Sequence, residues 1–92
     1  MKQDATFFQG KEPVLIYIAR RLREALSLES VLTAAGVDYG VEPDYYEGGV
    51  IFRRQRIGAF FYVLRESAEA ARGILRSNGY RPHENVDSDE NR

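Results

Sequence analysis

One structural unit occurs twice in this chain: an apolar run, an amphipathic stretch, a glycine, and a return to apolar residues. The first copy starts at Val14-Leu15-Ile16-Tyr17-Ile18 and ends at Val31-Leu32-Thr33-Ala34-Ala35-Gly36-Val37. The second starts at Ala59-Phe60-Phe61-Tyr62-Val63-Leu64 and ends at Ile74-Leu75-Arg76-Ser77-Asn78-Gly79-Tyr80. Gly36 and Gly79, 43 residues apart, bring Val31-Leu32 onto Ile74-Leu75. Two strand-then-helix halves in so short a chain restrict the fold to a split βαβ arrangement, which many unrelated functions share.

Ninety-two residues are enough for one domain with a modest core, so association between copies is a natural source of further burial. Composition is that of an ordinary soluble protein, 43% apolar and 29% charged. No apolar run reaches the roughly 20 residues that a membrane helix needs. The opening Met1-Lys2-Gln3-Asp4-Ala5-Thr6-Phe7-Phe8 has no long apolar stretch of the signal-peptide kind. Without cysteine, the chain has no disulfide, thiolate metal site or thiol nucleophile of its own. A cytoplasmic protein is expected.

Charge is uneven. Glu84, Asp87, Asp89 and Glu90 face only Arg92 in the last ten residues, while the rest of the chain is weakly basic. That balance is too slight to announce a nucleic-acid partner. Residues 83–92 are expected to be a disordered acidic tail, residues 1–12 an N-terminal segment, and residues 13–82 a single domain.

Val14 to Ile18 reads as a strand. A helix is expected from about Arg21 to Ala35, with Leu28, Val31, Leu32 and Ala35 on its apolar stripe and Leu22 and Ala25 extending it. Gly36 suits the left-handed residue that ends such a helix. Val37 to Glu42 alternates as a half-buried or edge strand, and Pro43 to Gly49 reads as a loop. Val50-Ile51-Phe52-Arg53 and Gly58 to Leu64 look like two strand segments, with Arg54-Gln55-Arg56 as a turn or bulge between them, or as part of one long strand. A second helix spans about Glu66 to Ser77, with Ser67 as a possible cap and Ala70, Ala71, Ile74 and Leu75 on its buried stripe. Tyr80-Arg81-Pro82 adds a possible last strand. The expected class is α+β, a ferredoxin-like βαββαβ plait with two helices on one face of an antiparallel sheet.

Strict alternation sorts Val14, Ile16 and Ile18 from Leu15 and Tyr17, and Phe61 and Val63 from Phe60, Tyr62 and Leu64. Whichever set meets the helices, the other face stays apolar, and each large side chain left in water forgoes about 1.5–3 kcal/mol. Leu15, Tyr17, Phe60 and Tyr62 are therefore the candidate interface or ligand face. Three covers present themselves: a second copy, the chain's own Phe7-Phe8 or Tyr45-Tyr46, or a ligand or nucleic acid.

Single-stranded RNA stacking on such a face is the alternative reading, since RNA-recognition motifs share the topology. Only Arg56, Ala59 and Phe60 fit the third-strand motif, which disfavours it. Arg53, Arg54 and Arg56 are candidate anion-binding residues, against the plainer reading of a solvated, charged tip. Arg20, Arg21 and Arg23 are awkward at a helix N-terminus; an anion there, fraying, or pairing of Arg20 with Glu24 would each relieve them. Asp38 and Glu42 could share one side as a weak cation site, although a solvated edge explains them better. His83, the sole histidine, has no partner motif, and no nucleophile elbow, phosphate loop or dinucleotide fingerprint occurs. Neither catalytic residues nor a cofactor or metal is expected.

Residues from about 14 to 80 resemble the small bacterial domains known as prokaryotic signal-transducing proteins, a family of unknown function. The resemblance rests on Ser30-Val31-Leu32-Thr33-Ala34-Ala35-Gly36-Val37, on Tyr62-Val63-Leu64 and on Glu66-Ser67-Ala68-Glu69-Ala70-Ala71-Arg72-Gly73-Ile74-Leu75. It implies a plait of the ferredoxin or nitrogen-regulator kind with a sensing or protein-binding role. Together these readings predict a non-enzymatic regulatory or interaction module, a homodimer through its sheet, with a protein or small ligand as further partner.

Overall fold

The computed structural model describes residues 1–48 and 54–83. Within them the order is β1 (Pro13–Ala19), α1 (Leu22–Ala34), β2 (Tyr39–Gly48), β3 (Arg54–Leu64) and α2 (Ala68–Ser77). Short 3-10 turns cover Ala5–Phe8 and Arg65–Ser67. The strands form one antiparallel sheet in the order β1-β3-β2. The class is α+β, with three strands among the described residues where the plait would have four.

Tyr80-Arg81-Pro82 forms no strand. One backbone bond, from His83 N to Ile16 O at 2.6 Å, ties this run to β1. Pro82 has no N–H to add to a ladder. Arg72 of α2, only 8% exposed, holds the same run: its Nε donates to the His83 carbonyl at 3.4 Å and its Nη1 to Glu69 at 3.3 Å. His83 is thus half-buried against the fold, whereas the remainder of the expected tail lies outside the described residues.

Both helices end in the same way. Gly36 and Gly79 take φ of +77° and +86°, a region open to residues without a Cβ. In α1 the Val37 N–H reaches Leu32 O and the Gly36 N–H reaches Thr33 O; in α2 Tyr80 and Gly79 do the same to Leu75 and Arg76. These are paired Schellman motifs, which satisfy carbonyls that each last turn would otherwise leave orphaned. Ser67 makes no side-chain cap to α2, because the preceding 3-10 turn holds it at helical φ and ψ.

The core joins Ala25, Leu28 and Leu32 of α1 and Ala68, Ala71 and Leu75 of α2 to Ile16, Ala19, Tyr39, Phe61 and Val63 of the sheet. Phe61 and Tyr39 stack with centroids 6.0 Å apart. Leu22 and Ala70, expected on buried stripes, are exposed, and Ile74 is half-buried. The sheet side of α1 begins only at Ala25.

One strand reading changes and one is decided. The Pro43–Gly49 loop is strand as far as Gly48, and of the two readings of Arg54-Gln55-Arg56 the one long strand holds: β2 and β3 pair in unbroken register from Tyr39↔Val63 to Gly48↔Arg54. Pro43 is tolerated because β2 is an edge strand, where a missing N–H costs no ladder bond. The expected Val50–Arg53 strand lies outside the described residues.

Alternation fails in β1. Leu15 pairs with Tyr62 but Tyr17 pairs with Phe61, so Ile16 is the extra residue of a β-bulge. Ile16, fully buried, and Tyr17 both serve the helix side. Ile18 moves to the other face, opposite Phe60.

Candidate functional site

The bulge divides the four residues expected on one face. Leu15, Phe60 and Tyr62 lie together on the face away from the helices, joined by Ile18. Tyr17 does not. Its ring packs on the core and meets Tyr80 edge-on at 5.6 Å. Its hydroxyl donates to Glu24 Oε2 at 2.5 Å, while Glu24 Oε1 accepts the Arg20 backbone N–H at 3.1 Å. Glu24 therefore ties the start of α1 to β1, an acid at the positive end of the helix dipole. It bonds the Arg20 backbone rather than its guanidinium.

Burial first, then the hydrogen bond and charge of Glu24, push the Tyr17 phenol from 10.0 up to about 12. The folded value lies above the unfolded one, so the unfolded chain gives up its proton first. This contribution to stability is complete below pH 10 and is lost as pH rises towards about 12. Denaturant titrations should show unfolding free energy falling as pH rises from 10.0 towards about 12, and Tyr17→Phe should flatten that fall. At neutral pH the same substitution should cost about 1.5 kcal/mol, the order of one hydrogen bond to a charged group.

The outer face is partly covered by the N-terminal segment. Backbone bonds link Tyr39 N to Met1 O at 3.1 Å and Gln3 N to Tyr39 O at 2.7 Å, so residues 1–3 run beside the start of β2. Lys2 reaches Glu29 of α1 at 3.5 Å, and Gln3 Nε2 donates to Asp38 at 3.1 Å. The turn over Ala5–Phe8 then sets Phe8 on Gly40. A Cβ at Gly40 would stand 2.6 Å from Phe8 Cε2, so only glycine admits the ring there. Of the expected covers, Phe8 is in place at this end of the face.

A cleft of about 850 Å³ remains between this arm and the sheet, bounded by Phe8, Gly40, Glu42 and Tyr62. Burial, then Glu42 and Asp44, raise the Tyr62 phenol above its usual value. Phe60 is only 9% exposed. With Phe60 closed in and Tyr17 on the other face, these rings form no open platform for stacking bases. Asp38 is engaged by Gln3 and lies 3.8 Å from the N-terminal ammonium.

Apart from Met1 in the arm, the large apolar side chains left most open lie elsewhere. Leu22 and Leu26 of α1 are 76% and 55% exposed, and Tyr45 and Ile57 of the β2–β3 ribbon are 60% and 62%. Tyr45 pairs with Ile57 on the helix-side parity of the sheet. Leu22, Leu26, Pro43 and Ile57 line one groove of about 410 Å³. The ribbon outruns the helical layer, leaving the helix-side pair Tyr45 and Ile57 uncovered. Sequence parity located an apolar face but could not show where the helices stop.

Of the three arginines expected to bind anions, Arg53 and the side chain of Arg54 lie outside the described residues. Arg56 is exposed and shares a pocket of about 600 Å³ with Arg20, Arg21 and Arg23. Among the described residues no three His, Asp or Glu side chains are grouped to hold a metal ion, and no helix is long and apolar enough to cross a membrane. Compared with protein-family models, with curated proteins and with solved structures, the chain matches none.

Proposed function

We propose that the protein is a non-enzymatic interaction module that acts as a homodimer, joined through the apolar surface between α1 and the β2–β3 ribbon. The observation that carries this reading is the exposure of Leu22, Leu26, Tyr45 and Ile57 on one side of the molecule. Each gains about 1.5–3 kcal/mol on burial, and an open cluster of this kind marks a contact surface. A second copy is the occupant that the shape favours. The surface carries both a projection, Tyr45 and Ile57 on the ribbon, and a recess, the groove beside Leu26. Projection and recess on one patch are what a two-fold, self-complementary contact needs.

Contact through the edge of β2 is disfavoured. Pro43 interrupts its donors, and Glu42 and Asp44 are exposed there. The outer face, with Phe8 already on Gly40, has less apolar surface to offer. A regulatory role accords with the resemblance to bacterial signal-transducing domains, which rests on the residues quoted for it.

Leu26→Glu and Ile57→Glu test the surface. Both positions are exposed, so each variant should keep its far-UV spectrum and its stability to within about 0.5 kcal/mol. Light scattering behind a sizing column should show each as a monomer at micromolar concentration, with Tyr62→Glu still dimeric. Two dimeric groove variants would overturn the assignment.

A further inference from the structure

A second site is built from residues far apart in sequence. Arg20, Arg21 and Arg23 come from the junction of β1 and α1, and Arg56 from β3; all four line one pocket with Tyr46 and Tyr80. None of the four guanidinium groups has an ion-pair partner among the described residues. The one acid in the pocket, Glu24, already accepts the Tyr17 hydroxyl and the Arg20 backbone N–H. Four cations thus repel one another across a shared concavity.

Their placement adds to that cost. Arg21 is the N-cap of α1 and makes no side-chain cap, so first-turn N–H groups at the positive end of the helix have no protein side chain to bond. Arg20 is also fixed, its guanidinium 5.2 Å from the centre of the Tyr46 ring. An anion in the pocket would relieve the repulsion, complete the cap and use the planar donor forks of arginine.

We propose that this pocket binds the diphosphate group of a small molecule. Four guanidinium groups exceed what a single phosphate engages, and about 600 Å³ leaves room for an organic group beside Tyr46 and Tyr80. A nucleic-acid strand is the poorer fit. The cations converge on one recess rather than tracking along a groove, and Glu42 and Asp44 lie on the outer face beyond it.

Calorimetric titration of inorganic pyrophosphate into the full chain tests the site, with ADP as the arm that separates a bare diphosphate from a nucleotide. Pyrophosphate should bind at low salt, and Arg23→Gln and Arg56→Gln should each weaken it by about tenfold, the loss of charge-assisted hydrogen bonds. Arg65→Gln, which removes a cation paired with Glu12 at 3.1 Å away from the pocket, should leave binding unchanged. ADP should bind at least as well as pyrophosphate. Arg20 and Arg21 line both this pocket and the groove beside Leu26, so anion binding and dimerisation are separated at Arg56, which lines the pocket but not the groove: Arg56→Gln should weaken pyrophosphate and remain dimeric. No binding at millimolar pyrophosphate would overturn the proposal, as would equal weakening by Arg65→Gln. So would a single-stranded oligonucleotide that displaces pyrophosphate and binds more tightly than ADP.

Discussion

Phe61→Ala is expected to destabilise the protein by about 3–5 kcal/mol, the cost of removing a buried aromatic ring from a packed core. Phe61 sits on the central strand with no exposed surface, flanked in register by Tyr17 and Val41 and stacked on Tyr39. Its loss leaves a cavity where both edge strands and the helical layer meet. A domain of this size holds only about 5–14 kcal/mol in all, so the variant should be largely unfolded at modest urea concentration. Phe60→Ala, on the opposite face of the same strand, should cost less, since the helices do not pack on it. Urea titration of the two variants gives the comparison directly.

Ile16→Ala has the second-largest expected effect, about 2–5 kcal/mol by the same cavity argument. Ile16 is fully buried although it is the unpaired residue of the bulge. The extra residue places two consecutive side chains, Ile16 and Tyr17, on the helix side, and its carbonyl accepts His83 N. Deleting Ile16 would restore a regular ladder, with Leu15 opposite Tyr62 and Tyr17 opposite Phe61 as they already stand. The deletion should therefore cost about as much as Ile16→Ala, because the lost side chain, not the ladder, dominates. Thermal melts of both variants beside the unaltered chain would show it.

Much of the architecture was legible because it follows from local chemistry. Gly36 and Gly79 mark the helix ends through a backbone requirement that sequence displays openly. Leu28, Leu32, Ala71 and Leu75 recur at helical spacing and are buried as that spacing implies. What failed was whatever depends on partners distant in the chain. The bulge at Ile16 is invisible to alternation, which assumes one residue per pleat, and it sent Tyr17 to the helix side and Ile18 to the outer face. Pro43 read as a breaker because its position on an edge strand is set by topology alone. The length of the β2–β3 ribbon relative to the helices leaves Tyr45 and Ile57 open, and no single segment encodes that length.

The arginines show the same limit. In the sequence Arg56 stands with its neighbours Arg53 and Arg54, and Arg20, Arg21 and Arg23 form an awkward group at a helix start. Their common pocket exists only because the β1–α1 junction and β3 meet in space. The N-terminal arm lies between these cases. Phe7-Phe8 could be named as a possible cover for the outer face, but its seat depends on Gly40, whose missing Cβ makes the space.

Sedimentation equilibrium of the unaltered chain tests the central claim most directly. Over submicromolar to tens of micromolar concentrations, the dimer account predicts a mass rising from that of one 10.5 kDa chain to twice that value. A mass that stays at 10.5 kDa throughout would contradict it.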